Sequence, residues 1–171
     1  MTADHRVEVP AQGDERATLL GFLRFQRDTL QLKCDGLDAE ALARRAVEPS
    51  TLSLLGLVRH MAEVERSWFR RVMAGLDAPP HYYTDDHPDD DFDGAVADQA
   101  VVADAWARWR AEIEFADRFV ADAPDLDVTG NEKRRGAMSL RWVLGHMIEE
   151  YARHNGHADL LRQRIDGATG Q

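Results

Sequence analysis

Residues 139–165, SLRWVLGHMIEEYARHNGHADLLRQRI, decide the fold. Apolar side chains return there every three or four positions, the period of an amphipathic α-helix, and Ser139 is a residue type that caps helix N-termini. At about 100° per residue, with Glu150 at zero, Val143 and Leu161 fall at about 20°, Met147 at about 60°, Leu140 and Ala158 at about 80°, and Tyr151 at about 100°. One apolar face, centred at about 60°, therefore needs other elements to cover it. His154, at about 40°, and Glu150 lie inside that face, whereas His146 and His157 fall on its margin.

Three further segments carry the same period and can supply the cover. The first runs from Asp14 to Cys34, with Leu19, Leu20, Leu23 and Leu30 in phase, and stops at Asp35-Gly36. The second, Thr51 to Ala74, aligns Leu54, Leu57, Met61, Val64, Trp68 and Val72 and closes at Gly75. The third, Ala95 to Val120, carries Val102, Trp106, Trp109, Ile113 and Phe119. A short helix is expected within residues 36–47. Residues 76–94, rich in proline and aspartate, and residues 122–138 read as polar loops. No strand pattern of convincing length and no fixed-period repeat competes. The expected fold is all-α, a four-helix bundle, as one domain over residues 1–171 with residues 1–13 as a flexible extension.

Composition narrows the partners. A formal net charge of −10 opposes binding to a phosphate backbone, which needs clustered Lys and Arg to release counterions, so no nucleic-acid partner is expected. No apolar run reaches the eighteen or so residues of a membrane span, and MTADHRVEVPAQGDER lacks the apolar core of a secretory leader. A single cysteine, Cys34, allows no internal disulfide, which fits a cytoplasmic location.

Polar groups inside an apolar face need partners, because an unpaired buried charge costs several kcal/mol. For Glu150 the partner is either a nearby Arg or His, or a metal ion shared with His154, since residues at i and i+4 project to one side of a helix. In the second helix His60 lies about 60° from Leu57 and about 40° from Val64, at the edge of the stripe. Alone it reads as a boundary histidine. Two neutral imidazoles and a carboxylate form an open site for zinc and other divalent ions. Both readings stand on the residues alone.

Other features carry less. Asp89, Asp91, Asp93 and Gly94 begin like a calcium loop, but its twelfth position is Ala100 where a bidentate Glu belongs, which leaves a solvated acidic loop. His81 and His87 are expected at the surface, Cys34 as a small buried hydrophobe, and Trp68, Trp106, Trp109 and Trp142 in the core.

The stretches LVRHMAEVERSWF (57–69) and ARHNGHADLLR (152–162) resemble the DinB-like superfamily, in particular its actinobacterial mycothiol-dependent branch. That branch holds the mycothiol S-transferases and the metal-binding domain of mycothiol-dependent maleylpyruvate isomerase. The resemblance implies His60, Glu150 and His154 as metal ligands, with Glu150 where many relatives have histidine. It implies one divalent ion, zinc first and Ni2+, Fe2+ or Mn2+ as alternatives, with mycothiol as thiol co-substrate and a small-molecule electrophile as acceptor. His157 is then a neighbour of the ligands and a candidate for proton transfer, and a homodimer and a role in detoxification also follow from the resemblance. A non-catalytic metal-binding or stress-associated bundle is the rival reading, and a metal-free scaffold is a third.

Overall fold

Each long apolar stripe becomes a helix where a capping side chain starts it, in a computed structural model that describes residues 6–170. Helix α1 (Glu15–Cys34) begins at Asp14, whose carboxylate accepts the Ala17 N–H at 2.7 Å. A short α2 (Ala39–Ala43) leads to α3 (Leu54–Glu65), capped by Ser53, and α3 continues without a break as a π-helical segment, Arg66–Met73. In that segment the Ala74 N–H donates to the Phe69 carbonyl at 2.9 Å, five residues back, and Gly75 then turns the chain at φ +65°. After the short α4 (Asp90–Asp93) comes α5 (Gln99–Asp122), capped by Asp98. Strands β1 (Thr129–Glu132) and β2 (Gly136–Ser139) pair antiparallel, and α6 (Leu140–Asp166) starts from the Ser139 cap.

The fold is an all-α four-helix bundle of α1, α3, α5 and α6. Helix α1 packs on α6 and α3 on α5, while α1–α3 and α3–α6 contacts join the two pairs. Leu23, Leu30, Leu57, Met61, Phe69, Leu144 and Met147 are wholly enclosed between them. Burying such a side chain contributes roughly 1.5–3 kcal/mol each. The N-terminal stretch lies along α1, where Arg6 donates to Thr29 Oγ1 at 3.0 Å; residues 1–5 of the expected flexible extension lie outside the described residues.

A buried polar network also joins all four helices. Arg27 of α1 makes two hydrogen bonds to Glu65 of α3, at 2.7 and 2.8 Å. The Tyr151 hydroxyl of α6 donates to Glu65 at 2.9 Å and accepts from Trp109 Nε1 of α5, also at 2.9 Å. Glu65 is fully enclosed, so only this pairing makes its charge tolerable.

Two expectations change. Residues 122–138, expected as loop, contain all of the hairpin β1–β2 but its last residue, Ser139, and its four-residue strands are too short to show alternation. The acidic loop 76–94 contains α4, held on α3 by Arg59, whose Nε and Nη2 donate to the carbonyls of Asp91 and Asp90 at 2.8 and 2.7 Å.

Candidate metal centre

The cross-contact of α3 with α6 brings His60, Glu150 and His154 together: one donor atom from each lies within 4.8 Å of the others. His154 is buried; His60 and Glu150 are half-buried, with a quarter of the Glu150 side chain exposed. Burial first, then the neighbouring His60 and His157, push the His154 pKa down to about 4. Its imidazole is therefore neutral near pH 7, the form that binds a metal.

Each histidine has one nitrogen occupied away from the cluster. His60 Nδ1 lies 2.8 Å from Asp91 Oδ2, and His154 Nδ1 lies 3.4 Å from His157 Nδ1. That leaves Nε2 of both rings available to a shared partner. His154 Nε2 and Glu150 Oε2 are 3.6 Å apart, too long for a hydrogen bond. Bonds of about 2.0–2.1 Å in a tetrahedral site put neighbouring ligand atoms about 3.4 Å apart, so the spacing suits two ligands of one ion. A borderline set of two imidazoles and one carboxylate on two helices fits a divalent ion such as zinc, with room left for a further ligand.

Asp91 is the residue that sequence reasoning missed. Its side chain is only 7% exposed, unlike that of a solvated acidic loop, and a carboxylate on the far nitrogen of a ligating histidine fixes the ring and its tautomer. The signal that could have found it is Phe92, an apolar residue amid aspartates, whose ring stacks on His60 at 4.7 Å. Gly94 lets this turn close, since a Cβ there would meet the Arg59 guanidinium and the Asp90 carbonyl.

A second group, His146, Glu149 and Glu150, also has donor atoms within 4.8 Å of one another. All three sit on α6, Glu149 is 55% exposed, and the two His146 nitrogens face Glu149 at 3.2 Å and Glu150 at 3.5 Å. Pairing within one helix accounts for that geometry. His146 also packs against Trp68 and Trp142, and Trp142 is 38% exposed rather than in the core.

The remaining candidates resolve simply. No donor group at Asp89, Asp91 and Asp93 forms a metal cluster among the described residues. Cys34 is buried, and burial pushes its thiol pKa up to about 12, which leaves it unreactive. His87 is exposed as expected, but His81 is drawn inward and lies 3.0 Å from Glu112. Of the tryptophans, Trp109 is core, whereas Trp68 and Trp106 are half-buried.

Two likenesses place the chain among known proteins. The family model described as mycothiol-S-transferase matches residues 18–167. No curated protein matches. A solved structure, a conserved protein from Enterococcus faecalis, superposes with a TM-score of 0.62 over 92% of this chain and 100% of its own, at 14% identity, a likeness of fold.

Proposed function

The chain belongs to the mycothiol-S-transferase family, within the DinB-like superfamily, and from this we propose that it is a metal-dependent thiol transferase that adds mycothiol to a small electrophile. The observation that carries this reading is the meeting of His60, Glu150 and His154 across two helices, open to solvent on the Glu150 side. These three residues would hold a divalent ion, which would supply Lewis-acid chemistry that favours the thiolate over the thiol near neutral pH.

The chain's own residues do the rest. Asp91 holds the His60 ring and His157 the His154 ring, so the two imidazoles are preorganised. Glu150 contributes one negative charge, which leaves the centre net positive and suited to an anionic sulfur. His157, half-buried beside His154, is the group for moving the thiol proton. In the addition the sulfur bonds to an electron-poor carbon of the electrophile, the carbon–carbon π bond breaks, and the thiol proton ends on the adjacent carbon. Zinc is the ion proposed first, and the whole chain acts as one domain in this reading.

The test is thiol transfer by zinc-loaded protein across a panel of Michael acceptors, against the chelated protein. Glu150→Gln keeps the volume and deletes the charge, so it impairs transfer more than it impairs folding. A loaded protein with no rate above its chelated control would leave the non-catalytic metal-binding bundle as the reading.

A further inference from the structure

The β1–β2 hairpin lies against the π-helical end of α3 rather than out in solvent. Gly130 permits this, because a Cβ there would overlap the Val72 carbonyl. Between hairpin and helix is a cavity of about 420 Å³, lined by Trp68, Arg71, Glu132, Lys133, Arg134 and Arg135 among others.

The charge in this cavity opposes that of the molecule. Four cationic side chains meet one carboxylate, a surplus of three positive charges, in a chain whose net charge is −10. The Glu132 carboxylate is committed to the turn, where it accepts the N–H groups of Arg134 and Arg135 at 2.9 and 2.8 Å. Arg71 donates from Nη2 to the Tyr83 hydroxyl at 3.1 Å, and its Nε is shielded from solvent and meets no acceptor among the described residues. Among the described residues no carboxylate pairs with Arg71, so its charge is left to attract an anion in the cavity.

Two side chains, Trp68 and His146, link the cavity to the candidate metal centre. Trp68, on its wall, packs edge-on to His146 at 4.8 Å, and His146 Nε2 lies 3.5 Å from Glu150 Oε1. Trp68 follows His60 by eight residues along the same helix, roughly 10–12 Å at about 1.5 Å per residue. That is the span of a small conjugated molecule with one end at each place.

We propose that this cavity holds the anionic group of the second substrate: the acceptor is a small carboxylate-bearing electrophile, its carboxylate among Arg71, Arg134 and Arg135, its flat body on Trp68, and its reactive carbon toward Glu150. The substrate-class reading rests on the thiol-transfer proposal, whereas the anion site itself does not. The bond changes are those of the addition given above, and no oxidant or reductant enters.

The experiment has a binding arm and a kinetic arm, both on the full zinc-loaded chain. For binding, 4-(3-oxobutyl)benzoic acid and its methyl ester, neither of which reacts with thiols, are titrated by calorimetry. The acid binds about tenfold or more tighter than the ester at low salt, as charged hydrogen bonds to arginine predict, and the advantage shrinks as salt rises. In the double variant Arg134→Gln/Arg135→Gln it largely disappears; both side chains are exposed, and an unchanged melting temperature verifies the fold. For kinetics, 4-(3-oxobut-1-enyl)benzoic acid, whose carboxylate lies across a ring from the reactive carbon, and its methyl ester are compared as acceptors of the thiol. The acid has the higher kcat/KM, and the double variant loses that preference mainly through KM.

Equal binding of acid and ester, or an acid preference that survives in the double variant, overturns the anion site. If both electrophiles go unreacted while the arginine-dependent binding difference persists, the thiol-transfer reading falls and the anion site stands. If both react without acid preference and bind alike, the reverse holds.

Discussion

Asp91 Oδ2 sits 2.8 Å from His60 Nδ1, and this contact commits the Nε2 nitrogen to face outward from the pair. Outer carboxylates of this kind are typically worth about 10–100-fold in metal affinity. Asp91→Ala should therefore weaken zinc binding by about that factor, and Asp91→Asn by less, with helix content unchanged. Competition against a chromophoric chelator measures it, and an unaltered affinity would remove Asp91 from the centre.

His154 and His146 flank the same carboxylate, at 3.6 and 3.5 Å from the two Glu150 oxygens. Only the His154 side gathers a donor from a second helix. His154→Ala should abolish stoichiometric zinc binding, and His146→Ala should retain it. Elemental analysis after dialysis discriminates: loss of metal in the His146 variant instead would place the ion on the other group, with Glu149.

Removal of the ion should lower the melting temperature. A ligand that binds the native state alone adds stability as RT ln(1 + [L]/Kd), about 4 kcal/mol at a thousandfold excess over Kd. Glu150 is a quarter exposed, so the metal-free carboxylate is partly solvated, and the shift reflects this linkage rather than relief of a buried charge. Calorimetric scans with and without chelator measure it. Coincident transitions would mean that no ion is held by the folded chain.

Glu112 provides a pH dependence elsewhere in the bundle. Burial alone would raise its pKa, but hydrogen bonds from His81, Arg70 and Arg66 prevail and hold it down to about 2, against a usual 4.5. The folded state thus favours the ionised form. Its stabilisation is complete above about pH 4.5 and is lost as pH falls toward 2, a loss of roughly 1–3 kcal/mol after solvent screening. Urea unfolding of wild type and Glu112→Gln at pH 6 and pH 3 should show the wild type losing the more stability. Parallel losses would mean that the arginines do not hold this carboxylate.

What could be read from the sequence was what depends on periodicity. The stripes of α1, α3, α5 and α6 follow the 3.6-residue period, and the same wheel put Glu150 and His154 on one face of α6. Asp91 was not legible, because an aspartate in an acidic run looks alike whether solvated or enclosed; what encloses it is Arg59 from another helix and the tight turn at Gly94. His81 is similar, drawn in by Glu112, which is 31 residues away. The hairpin escaped because its strands have four residues each and owe their place to a single glycine packed on Val72.

The π-helical turn between Glu65 and Ala74 acts as a phase shifter in the third helix. A π turn carries more residues than an α turn, so everything after it is rotated relative to what precedes it. His60 lies before this offset, and Trp68 and Arg71 lie within it. Rewinding this segment as α-helix with every residue kept would swing the later side chains by roughly 100° for each π turn lost. His60 would keep its partners on α6, while Trp68 would leave His146 and the cavity wall would be rebuilt from other side chains. The segment thus makes the metal-holding half and the cavity-forming half of one helix independently adjustable, so a change of winding in this segment could alter what the site accepts without moving the residues that hold the ion.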